Sequence, residues 1–179
     1  MPDQRLPAAT FDDLALPLFD QLYNFARWLT QDTSEAEDLV QETYSKALRG
    51  FASFQAGTNF RAWMYRILRN SFLSSRTGLK NTVMFDEEEH EGALSADRPN
   101  PERLLIEQAD RELVQQALAE LPIHFREILL LCEVEEMSYQ EISEALSIPM
   151  GTVMSRLSRA RRALRSLLQD ALRGGKHGL

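Results

Sequence analysis

Apolar residues recur along this chain at the three-and-four spacing of helices that bury one face. Leu18, Leu22, Phe25 and Leu29, with Phe19, Tyr23 and Ala26 beside them, predict an amphipathic helix that breaks at Asp32-Thr33. Ser34 followed by Glu37 has the spacing of a capping box, which predicts a second helix turning Leu39, Val40, Tyr44, Ala47 and Leu48 inward. A third helix runs from Phe60 to about Ser75 with Phe60, Trp63, Met64 and Ile67 on its buried side. The stretch 51–59, FASFQAGTN, reads as a loop with Gly57 and Asn59 as turn residues. Its two phenylalanines either plug back into the core or offer a stacking surface. Residues 1–10 carry no periodicity and read as a disordered tail.

The pattern lapses over 81–101, a segment with two prolines and the acids Asp86 to Glu89, Glu91 and Asp97. It resumes near Glu102 with Leu105, Ala109, Leu113, Ala117 and Leu121. Pro122 suits the first turn of a further helix, strongly apolar and running to about Glu133. Ser138 and Glu141 form a second capping-box pair, opening a short helix over 139–145. After a tight turn at 146–149 comes a longer helix from Met150. At about 100° per residue its Val153, Leu157, Ala160, Leu164 and Leu168 fall on one narrow stripe. Thr152, Ser155, Arg159 and Arg162 fall roughly opposite, with Arg156 and Ser158 on the flanks. Short helix, turn and longer basic helix is a helix-turn-helix order. The expectation is an all-α fold of two small helical domains, 12–80 and 102–175, joined by a flexible acidic linker over 81–101.

Charge changes this picture. The 179-residue chain has a net charge of −7, which alone argues against nucleic acid. Yet from Tyr44 to Lys80 there are seven basic residues and no acidic one, and from Pro149 to Leu179 seven basic residues against Asp170. Two basic islands in an otherwise acidic chain suit two polyanion-binding surfaces, with acidic faces left for other contacts. In the third helix Arg61, Tyr65, Arg69 and Arg76 share about a quarter of the circumference, which suits a strand backbone plus a stacked base. The same face would also serve as a solvated basic surface with Tyr65 covering the core edge. In the second helix Asp38, Gln41 and Glu42 precede Lys46 and Arg49, an order the helix dipole favours by itself.

Other chemistries find little support. Cys132 is the single cysteine, inside a leucine-rich run, and reads as a buried small residue. His90, His124 and His177 lack ligand spacing, so no metal or cofactor is expected in this chain. No convergent His, Cys and carboxylate set or Gly-rich phosphate loop suggests an enzyme. No apolar run approaches a membrane span and no leader pattern opens the sequence, so a cytoplasmic protein is expected. The residues alone also admit a helix-turn-helix regulator with a sensing domain, or an RNA-binding protein that uses the Arg-rich helix.

The run LPIHFREILLLCEVEEMSYQEISEALSIPMGTVMSRLSRARRAL resembles the C-terminal DNA-binding domain of bacterial sigma factors. AEDLVQETYSKALRGFASFQAGTNFRAWMYRILRNSF resembles their N-terminal core domain. The ordered pair in one short chain, over about residues 15 to 170, is the layout of the extracytoplasmic function (group IV) sigma factors. GTNFRAWMYRILRN with GTVMSRLSRARR is further similar to the subgroup governing thiol-oxidative stress.

The resemblance implies roles that composition does not. Asp38, Leu39, Gln41 and Glu42 would dock on the coiled coil of the largest subunit of core RNA polymerase. Gly50, Phe54 and Asn70 match the pocket for a flipped non-template base of the −10 element. Asn59, Arg61, Tyr65, Arg66 and Arg69 would complete the −10 surface, the arginines on phosphates, with Trp63 mainly structural. Thr152, Ser155, Arg156 and Arg159 would meet the −35 element in the major groove, and Arg162 its phosphates. Met154 stands where many relatives carry Arg or Lys, which leaves Arg159 as the expected reader of guanine. An anti-sigma factor is the implied regulator, and for the thiol subgroup a zinc-binding, redox-sensitive one.

Overall fold

The computed structural model describes residues 9–77 and 111–174, which fall in two units divided after Asn81. The expected linker and the first residues of the helix expected from Glu102 lie outside the described residues. All regular structure among the described residues is helical.

The first unit opens with α1 (Phe11–Ala15), a short helix where the sequence pattern predicts none. Thr10 and Asp13 form a reciprocal capping box that supplies its start. A 3₁₀ turn (Leu16–Leu18) leads into α2 (Phe19–Thr30), which Gln31 ends in the left-handed region at φ 59°. Helix α3 (Thr33–Gly50) starts two residues earlier than a Ser34 cap would place it. Its cap is Asp32, whose carboxylate accepts from Glu35 N at 2.8 Å. After a 3₁₀ turn (Phe51–Ser53) and loop, α4 (Phe60–Thr77) is capped by Asn59, whose Oδ1 accepts from Ala62 N at 2.9 Å.

Helix α3 packs on both α2 and α4. It buries Ala36, Leu39, Val40, Thr43 and Ala47 against Leu22, Phe25, Ala26 and Leu29 of α2 and Met64, Tyr65, Leu68 and Phe72 of α4. Contact with two neighbours widens the buried arc and turns it away from the axis that periodicity suggests. Leu48, expected inward, is 59% exposed.

The second unit gathers on its last helix. Helices α5 (Arg111–Glu120), α6 (Ile123–Leu129) and α7 (Tyr139–Leu146) each pack against α8 (Met150–Gly174). Arg126 closes the end of α5: its guanidinium donates to the carbonyls of Leu118 at 2.7 Å and Ala119 at 2.6 Å. Pro122 stands at the cap of α6, one residue before the first turn. The α-helix expected to reach Glu133 instead passes into a π turn (Leu130–Val134). Leu130 O accepts from Glu135 N at 3.0 Å, the five-residue step of a π turn, and Ile128 to Leu131 are all buried. The Ser138–Glu141 capping box is present. Ser147 closes α7 in the left-handed region, and the Ser143 hydroxyl donates to Ile148 O at 2.6 Å, so two side-chain choices fix the turn into α8. All five stripe residues of α8 are 4% exposed or less.

Candidate nucleic-acid and polymerase interfaces

Helix α4 and the end of α3 border an open cleft of about 340 Å³ lined by Lys46, Gly50, Ser53, Trp63, Ile67, Asn70, Ser71 and Ser74. Gly50 and Asn70, paired above only through a resemblance, thus meet in one cavity. Gly50 has an ordinary helical φ of −86°, and a Cβ there would stand 3.6 Å from the Trp63 ring. Its use is the open space it leaves over the indole. Phe54 stands behind that wall, 5.1 Å from the Trp63 ring and 5.2 Å from Phe60. Trp63 is therefore both structural and cavity-lining.

Lys46 is the cation of this cleft, and sequence reading did not single it out. Its ammonium donates to the buried Ser71 hydroxyl at 3.0 Å and pairs with Glu42 at 2.5 Å. The signal lay in its spacing: four residues after Glu42 and four before Gly50. With the Asn70 amide and the hydroxyls of Ser53 and Ser74, the cleft offers hydrogen-bonding groups around an aromatic wall. A volume near the low end for small-molecule sites suits one flat heterocycle.

Tyr65 is a correction. It is 1% exposed, with its ring 5.1 Å from Phe25 in the core, so it cannot stack a base. Burial of a large ring against α2 outweighs the basic company it keeps along the sequence. Arg61 lies over the Tyr65 ring, 5.7 Å from its centroid. Arg66 is exposed and Arg69 half-buried on the same helix. Arg76, expected on that face, pairs with Glu35 at 2.8 Å. Asn59 has a structural task as the cap of α4.

On α3, Asp38, Gln41 and Glu42 are exposed, but Leu39 is 6% exposed and belongs to the core. It supports the acidic face from beneath. Leu48, seven residues after Gln41 and so close to its angle on the helix, adds an apolar end to that face.

In the second unit α8 presents Gly151, Ser158 and Arg162 exposed, with Thr152, Ser155 and Arg159 half-buried at the margin. Arg156 leans inward, its guanidinium 3.9 Å from the carboxylate of Glu127, which is 1% exposed. Arg161 is structural: it pairs with Glu133 at 2.7 Å and reaches within 3.7 Å of the Cys132 sulfur. Cys132, expected buried, is half-buried, and burial is the main cause pushing its thiol upward from its ordinary pKa. Met154 is 43% exposed.

Two family models match the chain: "Sigma-70 region 2" over residues 17–82 and "Sigma-70, region 4" over residues 111–164. The ECF RNA polymerase sigma factor SigE of Mycolicibacterium smegmatis is 36% identical over 168 residues, which cover 89% of this chain and 65% of that protein. The RNA polymerase sigma-H factor of Pseudomonas aeruginosa is 33% identical over 95% of this chain and 92% of its own. Among solved structures, the sigma factor RpoE in complex with the anti-sigma factor NepR from Bartonella quintana is similar, with a TM-score of 0.69 and 32% identity. That likeness covers 89% of this chain and 96% of the other.

Proposed function

The chain belongs to the sigma-70 family, in its extracytoplasmic function group, and from that premise we infer how its surfaces divide the work of promoter recognition. As a sigma factor it binds core RNA polymerase and directs initiation at specific promoters, while polymerase performs the chemistry. The exposed acidic face of α3, with Asp38, Gln41, Glu42 and Leu48, docks on the polymerase. The cleft beside α4 takes one unstacked base of the −10 element, with Arg66 and Arg69 against the strand backbone. Helix α8 enters the −35 major groove, where Thr152, Ser155 and Arg159 line the contact and Arg162 meets phosphate. The protein works in the cytoplasm, where polymerase and promoter are.

The observation that carries this reading is the cleft itself, which joins Gly50 and Asn70 to Lys46 and an aromatic wall. Trapping a flipped base there offsets a few kcal/mol of lost stacking, so capture and melting are one event. The docking assignment is tested by titrating core polymerase with an Asp38→Lys, Gln41→Ala variant. The expected outcome is loss of polymerase affinity with the helical content unchanged; undiminished affinity contradicts the assignment.

Control by an anti-sigma factor is part of this reading, supported by the RpoE–NepR likeness. The thiol-stress resemblance extends it to a zinc-binding, redox-sensitive partner. With Cys132 the single cysteine and in contact with Arg161, the sensing thiols would sit in that partner. Equal affinity for such a partner with and without oxidant would rule this out.

A further inference from the structure

We propose that Phe11 is a positioning residue for base capture: with its short helix it holds the 51–59 loop and, through it, the aromatic wall of the cleft. This rests on the reading that the cleft receives a −10 base. Phe11 lies ahead of the residues matched by the region 2 family model.

The argument is a path of ring contacts. The Phe11 ring meets Phe51 edge-on at 5.4 Å, Phe60 at 6.2 Å and Tyr44 at 6.4 Å. It therefore touches the start of the loop, the start of α4 and the middle of α3 at once. Phe51 lies parallel to Phe54 at 6.2 Å, and Phe54 reaches Trp63 at 5.1 Å. Trp63 lines the cleft with Gly50 and Asn70. Phe60, 5.5 Å from Trp63, gives a second and shorter path, so one ring or two separate Phe11 from the cleft wall.

The far end of the loop is tied to α4 by Asn59, whose Oδ1 accepts from Ala62 N. Before it, Phe54 N donates to Phe51 O, the Ser53 hydroxyl to Gly50 O and the Thr58 hydroxyl to Gln55 O, bonds that stay within the loop or reach its immediate neighbour. The rings tie this part to the helices. Helix α1 is in turn pinned at both ends, because five residues have no helical stability of their own. At its start Thr10 and Asp13 cap each other, and the Thr10 hydroxyl is the main cause holding the Asp13 carboxyl below its ordinary pKa. At its end the Tyr44 hydroxyl donates to Ala15 O at 2.6 Å, with Ala15 fully buried.

The test uses holoenzyme on two promoter templates that differ only at the captured −10 nucleotide, intact in one and abasic in the other. Open-complex formation is the readout. Phe11→Ala is expected to lower opening on the intact template by about fivefold, the scale of one or two aromatic pairs, and to leave the abasic template at the wild-type level. Phe11→Tyr, which keeps the ring, is expected to restore discrimination. Thr10→Ala, which unpins α1 without touching a ring, is expected to show the same pattern more weakly. An equal loss on both templates marks general damage to the fold and overturns the proposal, as does no loss on either. Wild-type holoenzyme that opens both templates equally overturns the cleft reading, and Phe11's role with it.

Discussion

Arg159 and Met154 lie on opposite flanks of the exposed face of α8, about 140° apart at helical spacing. Base contact by one side chain therefore does not substitute for the other. A thioether offers van der Waals contact, whereas a guanidinium can grip guanine O6 and N7 together. Arg159→Ala is expected to cost about 1–3 kcal/mol of discrimination between −35 sequences. Asn70→Ala is expected to slow opening and leave −35 discrimination intact. Initiation rates on promoters with and without the −35 sequence separate the two; an equal loss from Arg159→Ala on both would contradict its role. Single residues were also where sequence reading was weakest. Tyr65 sits among basic neighbours, and its assignment to a surface rested on that company; Leu39, inward by periodicity and buried in the structure, was placed on a surface only through the resemblance. Rotation of each helix about its axis is set by what it packs on, and a difference of one quarter-turn moves a residue from groove to core. The spacing of Lys46 from Glu42 and Gly50 gains its meaning only once α3 and α4 are brought together, because most of the cleft lining comes from α4.

Among the elements, α8 was the most legible. One apolar stripe on a helix against which three others pack gives periodicity a single answer. The Ser138–Glu141 cap was equally plain because its two partners are local in sequence. Helix α1 was harder to read: five residues are too few for a period, and although its Thr10–Asp13 cap is local, its other end is held by a distant partner. That partner, Tyr44, gives a measurable signature. Burial first, then the negative charge of Asp20, pushes its phenol up to about 12 from the ordinary value of 10.0. A raised folded-state pKa means that the folded form holds the proton more tightly. Its contribution is complete below pH 10 and is lost as pH rises through about 12. Urea unfolding at stepped alkaline pH is expected to show stability falling across that window, and Tyr44→Phe to remove that part of the fall. A variant with the full wild-type slope would separate Tyr44 from the effect.

For the molecule as a whole, net charge is misleading and its distribution is informative. In this sigma factor of net charge −7 the two basic islands lie one in each unit, which suits the proposed reading of two promoter elements. Each island is small, so neither unit is expected to hold promoter DNA tightly alone. Polymerase and the intervening segment convert the second contact into an intramolecular one at high effective concentration. Two short promoter elements read together then give specificity that neither gives singly. The domain order was legible in the sequence because each domain carries its own motif; the docking role of the acidic face rests on family membership. The most direct test is transcription in vitro with core polymerase and purified protein on templates bearing −35 and −10 elements at fixed spacing. The expected result is initiation that needs the protein and both elements, and that is lost when either element is scrambled. Absence of promoter-dependent initiation on such templates, or tight promoter binding by the protein without polymerase, would contradict the account.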